Sequence, residues 1–479
     1  MKPKFSDSMG HKAVAPSSLC QHGVSDRPLG LPLPQRYWAV TGVWLALIVS
    51  VLDGSIANIA LPSIARDLGT SPADSIAVVS GFQLGALVSL LPLAALGEIM
   101  TYRRVFLGGL ALFTIASLGC VLSQNLLALV LSRALQGVGA AGIMSTNGAL
   151  ARYIFPHDRL GAALGSNALV IAAFSALGPT IAAAVLVLGP WQWLFLINLP
   201  IGAIALVMGH RNLPQSPRAG RKLDLMSTVL NVAALSSITI GVERLTQETP
   251  PLPGSALLVA GCAAAAILVK RSLQQRHPLV PIDLLRVMLA RLSAITSTAT
   301  FAAQTLSLIS LPFYFQGTLQ FTPVQTGLLM TPWPAGVALT APLAGWLADR
   351  VPVSVLSGCG LLLLAGSLAS MYWLPMDVSP TSIGLQLGIC GIGFGFFQAP
   401  NNRALMSSAP LDRSGTAAGL IAISRTLGQI IGSILASFLF TLSGQEARAT
   451  FGLSALLSIM AAVTSFARGS SRSAGSNSR

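Results

Sequence analysis

Fourteen long apolar stretches follow one another from about residue 38 to residue 467, separated by short polar connections. They fall near 38–60, 76–96, 105–123, 126–149, 161–188, 192–209, 225–242, 255–269, 289–315, 324–347, 353–374, 382–405, 416–440 and 451–467. Most approach or exceed the roughly 20 residues that a helix needs to cross a bilayer. Backbone amides in hydrocarbon must be satisfied inside a helix or a closed barrel. Few stretches show the alternation of barrel strands, so the expected fold is an all-α polytopic membrane protein with 14 transmembrane helices. Only 9% of the 479 residues are charged, 53% are hydrophobic, and the mean hydropathy is +0.71. A soluble chain of this length could not cover its surface with so few charges. The 46 glycines and 29 prolines fit the same class, since membrane helices tolerate close packing and kinks.

The net charge of +14 raises nucleic acid as a partner, but the positions of the basic residues argue for the lipid bilayer instead. They fall in alternate connections. With the N-terminus in the cytoplasm, the outer segments carry only Arg66, Arg244 and Arg448, and the inner ones carry the rest outside the spans. That is the positive-inside pattern, so both termini are expected in the cytoplasm and the bilayer is read as a bacterial inner membrane. Residues 1–35 are polar, basic and Pro-rich without an apolar signal core, and read as a disordered tail. The five cysteines are scattered and the five histidines lie in the tail or in inner loops, so neither a disulfide framework nor a metal site is expected.

The chain also repeats itself. Pro156-His157-Asp158-Arg159-Leu160-Gly161 returns as Pro410-Leu411-Asp412-Arg413-Ser414-Gly415, with Gly137-Val138-Gly139 matching Gly391-Ile392-Gly393 and Asn147 matching Asn401 in the same register. Parallel repeats of six helices, with a substrate site between them near the midplane, are an arrangement of secondary transporters. The expected division is a tail at 1–36, a six-helix half at 37–210, a linker with two inserted helices at 211–287, a second half at 288–467 and a tail at 468–479.

Asp53 lies well inside the first apolar stretch with no Lys or Arg within a helical turn. An ionised aspartate at a helix centre costs on the order of 2.5–3.5 kcal/mol for insertion. A carboxylate kept there is a candidate proton or cation carrier, the alternative being a structural aspartate held by neighbouring helices. Arg133 is a second embedded charge. At 1.5 Å per residue, Asp53 sits roughly 24 Å from the inner end of its span and Arg133 roughly 10 Å from the outer end of its own, so the two fall at similar heights. Pairing between them, static or changing during transport, is an open expectation. Arg425 is a third embedded charge with no acid obviously at its depth; it could bind an anionic group, cap carbonyls or face water. Gln83, Gln304, Gln398 and Asn401 are candidates to line a substrate cavity, or equally to tie helices together.

Several of these stretches resemble one family. Leu52-Asp53-Gly54-Ser55-Ile56-Ala57-Asn58-Ile59-Ala60-Leu61-Pro62, Arg133-Ala134-Leu135-Gln136-Gly137, Gly178-Pro179-Thr180 and Trp191-Gln192-Trp193-Leu194-Phe195-Leu196-Ile197-Asn198-Leu199-Pro200 resemble motifs of the fourteen-spanner drug:proton antiporters of the major facilitator superfamily. The resemblance implies a role for Arg133 in proton transfer and an antiporter kink at Gly178-Pro179. The family's later glycine pair is replaced by Ala182-Ala183, which weakens the inference of export. Gly97-Glu98, followed by Arg103 and Arg104, departs from the superfamily's loop motif, and Asp349-Arg350 is its second copy. These resemble gating latches, although topogenic charge explains Arg103 and Arg104 equally well.

No Walker A loop, HExxH or GxSxG appears, and no extramembrane segment could house an enzyme domain. The expected function is proton-driven export of small amphipathic or cationic compounds, without a cofactor. Its alternatives are a transporter dedicated to one metabolite and, from another class, a membrane receptor or scaffold. A periplasmic adaptor as partner leaves no signature in the chain.

Overall fold

The computed structural model describes residues 30–156, 159–218, 223–246, 251–275, 279–280, 282–375, 377–409, 414–442 and 447–476. Most of the expected N-terminal tail, the repeat residues His157, Asp158, Pro410, Leu411, Asp412 and Arg413, and the last three residues lie outside the described residues.

The described chain is helical throughout: α1 Gln35–Asp67, α2 Pro72–Ser75, α3 Ala77–Met100, α4 Tyr102–Leu122, α5 Leu126–Ile154, α6 Leu160–Leu188, α7 Gln192–Leu196, α8 Asn198–Asn212, α9 Leu225–Thr246 and α10 Pro251–Gln274. After a 3₁₀ turn at Ile282–Arg286 come α11 Met288–Phe313, α12 Pro323–Met330, α13 Pro332–Leu347, α14 Val353–Tyr372, α15 Pro380–Ser407, α16 Ser414–Leu442 and α17 Arg448–Ser476. Some helix starts carry residues that satisfy free amides. Asn125 Oδ1 accepts from Ala128 N at 2.8 Å to open α5, and Thr322 with Gln325 forms a capping box on α12. Thirteen described helices are long and apolar enough to cross a membrane. The remaining expected span, 324–347, is divided at Thr331 into α12 and α13. Pro332 and Pro334 supply no amide hydrogens there, so the ladder breaks. Leu127, Leu131 and Leu135 form an outward stripe on α5 that is 69%, 57% and 51% exposed, a surface suited to lipid and not to water.

Helices α1–α8 pack among themselves, with α3 and α4 both against α5; in the second group, α13 and α14 pack in the same way against α15. Glycines make these contacts close. A Cβ on Gly137 would lie 2.0 Å from Phe82 O, and one on Gly391 would lie 2.0 Å from Trp333 O. Gly139 and Gly393 repeat the relation against α4 and α14. The sequence match between the two glycine pairs thus corresponds to the same packing task performed twice. Helices α9 and α10 pack on each other, and α9 also touches α3 and α16, where Asn231 Nδ2 donates to Val88 O at 3.0 Å.

The two groups meet through α1 with α11, α3 with α16, and α6 with α12 and α13. Their polar contacts gather toward one end of the bundle. Ser433 Oγ donates to Gln83 Oε1 at 3.1 Å, Ser437 Oγ to Ala73 O at 3.3 Å, and Thr180 and Thr331 share a hydrogen bond of 2.8 Å. Helix α6 changes character along its length. Gly178, Pro179, Ala182 and Ala183 are buried, whereas before Gly178 only Ala163 and Asn167 are. The end bearing Ala73 and Ala183 is therefore closed, and α6 stands freer toward the other.

Candidate functional site

Asp53 is 2% exposed and Arg133 1%. An ion pair joins Arg133 Nη1 to Asp53 Oδ2, so the two charges that α1 and α5 carry into the apolar interior neutralise each other. The rest of the aspartate is equally occupied. Its Oδ1 accepts from Gln136 Nε2 at 2.9 Å and from Asn198 Nδ2 at 3.0 Å. Gln136 accepts from Arg133 Nη1 at 2.6 Å and donates to Ser117 Oγ at 2.8 Å. Arg133 also donates through Nε to Val78 O at 3.3 Å, and its guanidinium lies 4.4 Å from the Phe82 ring centroid and 5.5 Å from that of Phe195. Helices α5 and α8 thus reach the carboxylate of α1 directly, and α3 and α4 hold its partners through Val78 and Ser117. Such saturation is what makes an ionised pair tolerable at this depth, because each charge needs both a counter-charge and hydrogen bonds.

Gln136 and Asn198 were not singled out from the sequence. Gln136 stands one turn from Arg133, on the same face of α5, and that spacing was the available signal. Asn198 opens α8 beside the proline of Asn198-Leu199-Pro200, and nothing in its own stretch of sequence points across to α1.

The other expected residues scatter. Gln83 is buried and bonded to Ser433 across the two groups. Gln304 and Gln398 are half-buried on α11 and α15 and belong to neither polar network. Asn401 is fully buried: it donates to Ser293 O at 3.2 Å and accepts from Arg468 Nη1 at 2.7 Å, which fastens α15 to α11 and α17. Arg468 itself, placed by the sequence at the start of a tail, is 3% exposed inside α17. Arg425 is half-buried on α16, with Nη2 at 3.7 Å from Met144 Sδ of α5.

Helix α6 runs through Pro179 without ending, and the missing side chain of Gly178 admits Ser55, whose Cβ would lie 2.6 Å from an added Cβ. Gly327 of α12 approaches the same segment, its virtual Cβ 2.5 Å from Pro179 O and 2.6 Å from Ala183 Cβ. The Gly178-Pro179 face therefore touches both α1, two residues beyond Asp53, and the second group of helices. At the other end of the bundle, Glu98 is half-buried near the end of α3, Arg103 donates to His210 O, and Arg104 is exposed. In the second group Asp349 pairs with Arg403 of α15, while the Arg350 guanidinium lies 4.1 Å from the Trp346 ring centroid.

Among the described residues no His, Cys, Asp and Glu cluster could hold a metal ion. The chain is 42% identical over 439 residues to the uncharacterized transporter YebQ of Escherichia coli, covering 91% of this chain and 96% of that one. It is 27% identical to the riboflavin transporter RibZ of Clostridioides difficile over 86% of this chain and 90% of that protein. It is 29% identical to the multidrug resistance protein Stp of Mycobacterium tuberculosis, covering 82% and 75% respectively. The sequence pattern of the Major Facilitator Superfamily matches residues 43–433 and, in an overlapping second match, 292–479. This chain belongs to the Major Facilitator Superfamily and is a multi-pass membrane transporter.

Proposed function

We propose that this transporter exports small amphipathic compounds from a bacterial cytoplasm in exchange for protons, with Asp53 as the proton carrier. The observation that carries the reading is the Asp53 site, an intramembrane carboxylate whose partners Arg133, Gln136 and Asn198 come from sequence-distant helices. A proton arriving on Asp53 cancels the charge that Arg133 answers, so protonation and the packing of α1 on α5 are coupled. Helix α1 carries that change outward, because Ser55 rests on Gly178 of α6 and α6 rests on α12. Rocking of a half at 37–210 against a half at 288–467 then alternates access to a midplane cavity. In this reading both termini are cytoplasmic, the membrane is the inner one, and the closed end faces the periplasm. Arg103 and Arg104, with Glu98 and the Asp349 and Arg350 pair, sit at the end that must close when the cavity turns outward.

A second reading, transport dedicated to one metabolite, draws on RibZ, whose name specifies riboflavin. It also draws on the Ala182-Ala183 pair, since alanine bends a helix less readily than the glycines of the antiporter motif.

The test is proton movement in liposomes containing the purified protein, with internal pH followed as drug-like compounds and riboflavin are added in turn. The expected result is proton flux triggered by at least one compound and abolished by Asp53→Asn. Flux that survives the substitution moves the carrier elsewhere. Flux with riboflavin and no other compound favours the dedicated reading.

A further inference from the structure

Among the described residues, the embedded charges divide into those with partners and one without. Asp53 and Arg133 hold each other, and Glu98, Glu243 and Arg468 are also engaged. Arg425 is not. Among the described residues its guanidinium meets only the Met144 thioether at 3.7 Å, and its buried Nε has no hydrogen-bond partner. A thioether is a weak acceptor and leaves a positive charge essentially unanswered. An unanswered guanidinium within a membrane helix is costly, and such residues mark substrate or ion paths.

Its position decides what it faces. Residues 418, 422, 425, 429 and 433 share one side of α16 by helical spacing. Ser433 on that side bonds to Gln83 of α3, and Arg425 touches Met144 of α5, so this side of α16 looks across to the first group of helices and away from lipid. Burial along it grades from Ala418, exposed, through Ala422, Arg425 and Gln429, half-buried, to Ser433, buried. Arg425 thus lies roughly 12 Å along the helix from the closed contact at Ser433, toward the end where α6 stands freer. Facing it on α5, Gly148 is exposed one turn beyond Met144, and a Cβ added there would meet nothing within 4 Å. The surroundings are a free cation, a soft apolar side chain, and small residues that leave room.

We propose that Arg425 is the anion-recognition residue of the transport cavity, receiving the carboxylate, sulfonate or phosphate of an amphipathic organic anion whose apolar body lies over Met144, Ala422 and Ala418. This rests on the reading of the chain as a transporter with its path between the two halves, and it replaces cations by organic anions as the preferred substrate class. Asp53 is not available to a cationic substrate in this conformation, because both of its oxygens are taken by Arg133, Gln136 and Asn198. Planar guanidinium donors match such oxyanions in pairs, whereas a lysine offers a point charge.

The experiment is equilibrium binding to the purified full-length protein of naphthoate, phenylbutyrate and naphthalenesulfonate, each against its uncharged amide. Wild type is expected to prefer at least one anion to its amide by about tenfold or more, the range of hydrogen bonds to charged groups. Arg425→Gln is expected to bring that ratio near one while still binding the amide, and Arg425→Lys to keep part of the preference. A ratio near one for every wild-type pair overturns the proposal, as does a ratio unchanged in Arg425→Gln. Binding does not require proton coupling, so the two readings fail separately. Anion preference without compound-triggered proton flux overturns antiport alone, and flux with only uncharged compounds bound overturns the anion site alone.

Discussion

Arg133 and Arg425 both lie within spanning helices, one in each group, and their surroundings are opposites. Arg133 is 1% exposed and has an ion pair, a glutamine acceptor, a backbone carbonyl and two aromatic rings around it. Arg425 is half-buried and has one sulfur. The difference separates a charge that holds the fold together from a charge that the fold tolerates. Breaking a buried pair by removing one partner strands the other and costs about 3–5 kcal/mol. Arg133→Met is therefore expected to lower the thermal unfolding midpoint of the detergent-solubilised protein strongly, by leaving Asp53 with only amide donors. Arg425→Met removes a charge that answers nothing, and its midpoint is expected to stay level or rise. Equal losses in the two variants would erase the distinction and show that Arg425 has a structural partner.

Where the charges contrast, the glycines match, and that gives a symmetric prediction of smaller size. Gly137 and Gly391 each leave 2.0 Å between a virtual Cβ and a carbonyl oxygen of the neighbouring helix, Phe82 O and Trp333 O. Neither oxygen is the end of a flexible side chain, so the helices must move apart to admit a methyl group. Gly137→Ala and Gly391→Ala are each expected to destabilise by about 1–3 kcal/mol, the usual penalty of overpacking. Their losses should agree more closely with each other than with those of Gly148→Ala, which meets open space and should be silent in the same unfolding experiment. A large loss in only one half would mean that the two packings are not equivalent under stress.

These residues also show what could be read in advance. The helices were legible because hydrocarbon leaves the backbone so few options, and the glycine pairs because the repeat put them in register. Asp53 and Arg133 were legible as charges out of place. The amides were not. Asn198 and Asn401 are both buried asparagines near a proline, yet one serves the Asp53 carboxylate and the other Arg468, and only packing between helices distant in sequence decides which. The sequence places Arg468 at the start of a tail, since basic residues flank membrane helices on the inner side. Instead α17 continues to Ser476, and Ser293 Oγ accepts from the arginine at 2.8 Å. The break in the span at 324–347 had its signal in Pro332 and Pro334, and an even apolar run concealed it.

The smallest expected effect lies outside both halves, where α9 and α10 join at their polar ends. Asp224 accepts from Arg271 Nη2 at 3.1 Å, Arg271 Nε at 3.3 Å, Ser227 Oγ at 2.6 Å and Gln275. Partial burial alone would raise its proton affinity, but the hydrogen bonds from Ser227, Gln275 and Arg271 outweigh it and hold the carboxyl well below the usual carboxylate range. The carboxylate is thus lower in pKa when folded than when unfolded. Its contribution is fully present above the unfolded value near 4 and disappears as pH falls through the folded value. The pair is solvent-accessible, with side-chain exposures of 43% for Arg271 and 29% for Asp224, so its worth is that of a surface contact, about 0.2–1 kcal/mol. Asp224→Asn should accordingly lower stability slightly at neutral pH, and the gap to wild type should narrow as pH falls below 4 and the wild-type carboxyl protonates. Helix α9 touches α3 and α16, so the same substitution loosens an element that bridges the two groups of helices. If the gap were large and independent of pH, the hairpin would be held to the halves by Asn231 and apolar packing, and Asp224 would act through shape instead of charge.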